Sequence, residues 1–310
     1  MTPEALPSTQ RGAARARLGL ALVVGLALAT SLWAIWRPSV APEETHGAAA
    51  NPAARARIVS LAPSLTETLF AIGAADVVVG VSDYCAFPPE AKRPPSVGSA
   101  LTPSYEAIAR LAPTLIVATQ VGGEQLGPLS RIAPTEQLPW LSLAEVISST
   151  RALGRLVGRE SSADALAEKL ARVLDHAAPA NAPRVLFVMS YGDVDSNDIW
   201  YIRDDSLHGA ALRAAGARNA ISSDRAGQPR LSVEELFRVD PDQIVFFVDG
   251  EGAPSGREHA RFSKLTPLRA VQQSRLGAVN VPGALNGGPR VLDLVPPLAA
   301  EIRRLEAIRP

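Results

Sequence analysis

Residues 106–117 read EAIARLAPTLIV, and residues 234–245 read EELFRVDPDQIV. The two phrases align 128 positions apart at every matched residue: Glu106 with Glu234, Arg110 with Arg238, Pro113 with Pro241, and Ile116-Val117 with Ile244-Val245. Each describes a short helix led by a glutamate, stopped before a proline and followed by an apolar strand. The likeness is wider than the phrase, because LFAIGA (69–74) resembles LRAAGA (212–217). A chain that writes one helix-to-strand unit twice is expected to build two similar halves. The first half is longer: 40 residues separate Gly73 from Pro113, against 25 between Gly216 and Pro241. The excess corresponds to SDYCAFPPEAKRPPSVGS (82–99), and a loop extended in one copy of a shared scaffold is where specific function is grafted.

The remaining pattern from Arg57 onward is β/α. Ile58–Leu61 and Val77–Val81 read as strands, and Thr114–Ala118 as a third. Ser64 with Glu67 three residues later has the form of a capping box, and Gly73 suits the end of that helix. Ser104 is placed to cap the helix that contains Glu106. Strands alternating with helices predict parallel sheets with helices on their faces. Two helical stretches, Leu143–Val157 and Ser161–His176, follow with no strand between them, so they form a connector. The β/α pattern resumes with strands at Arg184–Ser190, Asp198–Arg203, Gln243–Val248 and Ala278–Val281. Helices are predicted at Ser206–Ala215, Ser232–Val239 and Pro289 to about Arg304.

The N-terminus implies export. Arg11, Arg15 and Arg17 precede LGLALVVGLALATSLWAIW (18–36), a run near the length that spans a bilayer. It exceeds the roughly 7–15 apolar residues of a signal-peptide core and ends in bulky residues, which favours an uncleaved anchor over a cleaved signal. No cysteine follows the run to take a lipid anchor. Residues 37–56 are rich in Ala and Pro and read as a flexible tether. Lys+Arg and Asp+Glu are both 31, so the basic excess expected of a nucleic-acid binder is missing. The single Cys85 forbids an intrachain disulfide, and the four histidines are too scattered for a zinc cage. The expected division is 1–17 cytoplasmic, 18–36 membrane or signal segment, 37–56 linker, 57–158 first lobe, 159–182 connecting helix and 183–310 second lobe.

The stretch RIVSLAPSLTETLFAIGAADVVVGVSDYCAFPPEAKRPPSVGS (57–99) resembles the opening of ABC-importer substrate-binding proteins of the iron-siderophore, haem and cobalamin type. PTLIVAT, AAGARNAI, LSVEEL with PDQIV, and GGPRV follow in the family's order. The resemblance covers Arg57 to about Ala307. It implies an α/β fold of the class III periplasmic-binding-protein type: two β/α lobes, a single long connecting helix and a cleft that closes little. It also implies a monomeric periplasmic receptor that delivers its ligand to an ABC permease dimer and its ATPase. One surface glutamate on each lobe would dock on permease arginines, and Glu106 and Glu234 match those positions. Zinc and manganese receptors of this build carry several liganding histidines, which this chain lacks.

Ligands of parallel α/β units sit beyond the carboxyl ends of the strands. That rule selects Tyr84, Phe87, Gln120 and Gly122 in the first lobe, and Tyr191, Trp200, Tyr201, Arg203 and Asn286 in the second. Tyr84 falls where cobalamin-type relatives place a ligand-contacting tyrosine. Trp140, after Pro139 in a predicted strand, reads as core. Aromatic, amide and guanidinium groups suit a large chelate with polar edges, not a bare ion. No intrinsic cofactor is implied. A tyrosine such as Tyr84 suits haem iron, and Arg203 suits an anionic ferric siderophore. The absence of aromatics near Ala100 and Thr119-Gln120 weighs against cobalamin, so an iron chelate is favoured with cobalamin next. No G-x-S-x-G, P-loop or H-E-x-x-H motif points to an enzyme. Asp193, Asp195 and Asp198 lack the order of a calcium loop. A membrane-tethered sensor on the same fold is the alternative function.

Overall fold

The repeated phrase folds the same way twice. The computed structural model describes residues 56–190, 198–221, 229–248 and 256–308. The first half contains β1 (Ile58–Ser60), α1 (Pro63–Ala71), β2 (Val78–Val81), α2 (Tyr105–Arg110), β3 (Leu115–Ala118), α3 (Gly123–Ile132) and β4 (Thr135–Gln137). Helices α4 (Leu143–Val157) and α5 (Glu160–Leu174) follow. The second half contains β5 (Arg184–Ser190), β6 (Ile199–Trp200), α6 (Leu207–Ala214), β7 (Arg218–Asn219), β8 (Arg230–Leu231), α7 (Val233–Val239) and β9 (Gln243–Val248). It closes with α8 (Gly256–Ser263), α9 (Arg269–Gln272), β10 (Leu276–Asn280) and α10 (Val291–Glu306).

The first sheet has the order β2-β1-β3-β4 and the second β7-β5-β9-β10. Every pairing within them is parallel. Position for position the two sheets have the same topology, and β6 with β8 forms an antiparallel pair beside the second. Alternate strand residues face opposite cores, as a period of two requires. Ile58 and Val117 face one side while Val59 and Ile116 face the other. Phe187, Val245 and Phe247 face one side of the second sheet while Leu186, Ile244 and Phe246 face the other. Burial on both faces explains the unbroken apolar strands.

The duplication extends to single hydrogen bonds. Ser104 and Ser232 cap α2 and α7, accepting from the amides of Ala107 and Glu235. Glu106 and Glu234 therefore both occupy the second helical position. Each helix then unwinds through a left-handed residue before proline, Ala112 at φ 43° and Asp240 at φ 40°. A residue preceding proline is kept out of the right-handed helical region, so neither helix continues past it. The arginine that opens each central strand reaches back to that turn. Arg57 donates to the carbonyls of Leu111 and Ala112, and Arg184 to those of Val239 and Asp240. Side chains of Thr114 and Asp242 accept from the backbone amides of the same two arginines.

The connector matches the two helical stretches read from the sequence and differs from the single long helix, over 159–182, that the resemblance implies. It is a pair of helices, with α4 over the range predicted for it. Gly158, at φ 65°, ends α4 in a left-handed turn, and α5 starts at Glu160, one residue before the predicted start at Ser161. Both helices belong to both halves. Leu153, Val157 and Ala163 pack in the first core, and Val146, Leu170 and Leu174 in the second. The halves are thus joined by a hairpin whose two arms each bridge the cores.

Three other expectations change. Helix α1 is capped by the backbone of Ala62 without a side chain, so Ser64 and Glu67 form no capping box. Trp140 lies in a loop after β4, half-buried and packed against both cores. The strand expected over Asp198–Arg203 is limited to Ile199–Trp200. The apolar run 18–36 lies outside the described residues. Among those described, no helix is long and apolar enough to cross a membrane.

Candidate functional site

Parallel sheets open at their carboxyl ends, and a cavity of about 730 Å³ lies where the two sets of ends meet. Ser64, Thr119, Gln120, Gln137, Trp140 and Leu141 line it from the segments after β1, β3 and β4. Ser206, Leu207, His208, Leu285, Asn286 and Gly287 line it from the start of α6 and the segment after β10. Gly283 and Gly287, at φ 72° and 71°, bend that last segment around Ala284–Asn286. Only glycine takes this conformation without strain.

Several polar groups of the cavity wall are engaged within the protein. The Trp140 indole Nε1 donates to the Gly287 carbonyl at 2.8 Å, joining the two sides. The Leu207 amide donates to the Leu141 carbonyl, also at 2.8 Å. His208 is buried, donates from Nε2 to the Ala284 carbonyl and packs against Phe247. Glu145 accepts from the amides of Ser142 and Leu141, and these bonds hold its carboxyl below the usual range. Among the described residues no group of three or more His, Cys, Asp or Glu side chains could hold a metal ion. Amide and hydroxyl side chains, Gln120, Asn286, Ser64 and Thr119, are among the groups that line the cavity.

A second cavity of about 660 Å³ lies on the other side of α1, toward β2. Phe70, Ala71, Val78, Val79, Phe87 and Pro88 make it apolar. At its inner end Arg290 forms a two-point pair with Glu67: Nη2 to Oε1 at 2.5 Å and Nε to Oε2 at 3.1 Å. The Phe87 ring lies under this guanidinium, 3.9 Å from its carbon.

The structure distributes the predicted contact residues unevenly. Gln120 and Asn286, from opposite halves, line the 730 Å³ cavity together. Gly122 is exposed as the N-cap of α3, two residues past Gln120. Tyr84 is 68% exposed on the loop after β2. Phe87 faces the other cavity and stacks on Arg290. Trp200 is half-buried in β6. Tyr201 is corrected from a contact residue to a core residue: it is 3% exposed and packs with Leu186, Val188 and Leu231. Arg203 is already engaged by Asp205 through two bonds of 2.8 and 2.6 Å. That guanidinium holds the Asp205 carboxyl below its ordinary range. Tyr191 lies outside the described residues. Glu106 is 83% exposed and pairs with Arg110 at 2.7 Å, and Glu234 is likewise exposed.

Sequence reasoning missed Trp140, His208, Glu67 and Arg290. The last two stand inside SLAPSLTE and GGPR, motifs that carry the family resemblance. The two glycines before Pro289 were the available signal of a close approach.

Residues 58–262 match the family model described as periplasmic binding protein. An uncharacterized ABC transporter substrate-binding lipoprotein of Bacillus subtilis is 26% identical over 258 residues, 79% of each chain. A vitamin B12-binding protein of Pectobacterium carotovorum is 26% identical over 248 residues, 76% of this chain and 84% of that one. Among solved structures, the periplasmic haem-binding protein from Roseiflexus in its apo form superposes with a TM-score of 0.62 at 25% identity. It covers 81% of this chain and 98% of its own.

Proposed function

This chain belongs to the periplasmic binding protein family, and we propose that it is the extracytoplasmic substrate-binding component of an ABC importer. Its ligand is a metal chelate, held in the 730 Å³ cavity and delivered to a permease. The observation that carries this reading is the cavity's construction. It lies at the carboxyl ends of two duplicated parallel sheets and draws its wall from both. A cavity of this size takes a drug-sized to cofactor-sized ligand. The names of the relatives, an ABC transporter substrate-binding lipoprotein, a vitamin B12-binding protein and a haem-binding protein, support the same class.

In this reading residues 57–158 and 183–310 are the two lobes, and the run 18–36 tethers them outside the cytoplasm. Gln120, Asn286 and Trp140 contact the chelate within the cavity, with Gly122, Tyr84 and Trp200 at its approaches. Arg203, neutralised by Asp205, offers an edge for hydrogen bonding instead of a free positive charge. The ligand remains an iron chelate, haem or ferric siderophore, ahead of a corrinoid. Glu106 and Glu234 occupy equivalent exposed helix starts, one on each half, and suit a two-fold permease that presents arginines. Arg110 shields Glu106 by only an exposed i,i+4 pair, which a partner's guanidinium readily replaces.

Protein purified from its native host identifies the ligand by absorption: a Soret band, corrin bands or broad ferric charge transfer. Titration with haemin, ferrioxamine and cyanocobalamin, followed by quenching of tryptophan fluorescence, is expected to give saturable binding of one class. Binding of none of them would refute the chelate reading. Glu106→Ala with Glu234→Ala is expected to abolish uptake and leave binding intact. Unchanged uptake in that variant would refute docking and favour a sensor.

A further inference from the structure

The cavity wall formed by α1 and residues 285–290 has a second face, and there the two halves are joined by charge. Glu67 projects from α1, whose Leu65 and Leu69 belong to the first core. Arg290 precedes α10, whose Leu294 and Leu298 belong to the second. The pair spans 223 positions of sequence. It is withdrawn from water, with side chains 3% exposed for Glu67 and 15% for Arg290. The third guanidinium nitrogen donates to the Pro282 carbonyl at 2.6 Å. Two glycines clear the space: a Cβ at Gly288 would run into the Glu67 carboxylate, and one at Gly283 into the Arg290 guanidinium.

We propose that Glu67 and Arg290 form a latch that sets the separation of the two halves and so keeps the neighbouring cavity preformed. A two-point guanidinium–carboxylate pair is planar and directional. Separating the halves by even about 1 Å at this point strips one or both bonds and leaves two desolvated charges. Phe87 covers the pair from the loop that carries Tyr84, so the loop unique to the first half rests on the latch. Gly287 and Arg290 lie on the two faces of one wall. Trp140 holds its cavity side, and Glu67 holds the opposite side. Glu67 and Arg290 are positioning residues: they act on the ligand through the shape of the cavity. The consequence for ligand rests on the 730 Å³ cavity being the ligand site, whereas the latch itself does not.

The test uses the full chain with Cys85→Ser, and spin labels at Ala109→Cys on α2 and Arg238→Cys on α7, both exposed. Pulsed electron resonance is expected to show one narrow distance with the pair intact. Glu67→Gln and Arg290→Met are each expected to broaden the distribution toward longer distances. Because single variants leave a buried charge unpaired and fold poorly, Glu67→Met with Arg290→Met is the third protein. It is expected to unfold at a midpoint near that of the parent and yet show the broadened distribution. If the matching conformer falls to one tenth of the population, haemin binds about tenfold more weakly. A narrow, unshifted distance in the double Met variant overturns the latch. Broadened distances with no haemin binding by the parent would count against the ligand reading and leave the latch standing.

Discussion

Gly154→Ala sets two effects of opposite sign against each other. Gly154 sits inside α4, where glycine costs about 1 kcal/mol relative to alanine through backbone entropy. Taken alone, α4 is stabilised by the change. But a Cβ at this position would fall within the van der Waals surface of the Ala163 methyl on α5, with the Arg159 carbonyl 3.2 Å away. Two methyl carbons need about 3.5–4 Å, so the helices must part. Neither can do so locally. The Gly154 carbonyl accepts the Gly158 and Arg159 amides that form the turn between them. Both arms also supply residues to both cores. Overpacking of a buried contact costs about 1–3 kcal/mol, and the rigid setting places this case at the upper end. The net expectation is destabilisation by about 2 kcal/mol after the propensity gain of about 1. For a domain of this size that lowers the midpoint by about 4–8 °C in a thermal melt followed by circular dichroism. Ala163→Gly added to Gly154→Ala is expected to recover most of the loss. A Gly154→Ala protein more stable than the parent would show that the helix pair is not in close contact there, and the account of the connector would fall with it.

Three more outcomes are expected. Arg184→Met removes the guanidinium that holds the Val239 carbonyl at 2.8 Å in a half-buried setting. Urea denaturation should show a loss of about 2 kcal/mol, and less for Arg57→Met, whose equivalent side chain is exposed. Glu145 is held below the usual range by the amides of Ser142 and Leu141, and Glu301 by Arg304 and the Ala278 amide. Depressed carboxyl values contribute stability fully above the unfolded value of about 4.3, and that stability is lost as pH falls through the folded values. The urea midpoint should hold from pH 6 to about 8 and drop below about pH 4.3, and Glu145→Gln should make the drop shallower. Trp140→Phe keeps an aromatic ring and removes the bond to Gly287. Hydrogen exchange at residues 283–288 should quicken by roughly tenfold if the bond is worth about 1.4 kcal/mol, and an unchanged rate would remove Trp140 from the wall.

The duplicated phrase determined most of the local structure, because its information lies within a few residues of where it acts. A serine caps the amide three positions on, a proline stops a helix, and β-branched runs buried on both faces become parallel strands. These rules place Ser104, Ser232, the 143–157 helix and the 243–248 strand directly from the sequence. The same rules misread Glu67, whose spacing from Ser64 imitates a cap. A carboxylate satisfied by a guanidinium 223 positions away has no local signature beyond two glycines. Trp140 reads as core because indoles are mostly buried, and only the tertiary structure turned its N–H toward Gly287. Tyr201 and Arg203 read as contacts for the opposite reason. Their residue types suit a ligand, but the pairing of β5 with its neighbours buries one, and Asp205 two residues on engages the other. Short-range backbone preferences decided what each half of this chain is. How the halves face each other was decided by side chains whose partners only the folded chain brings within reach.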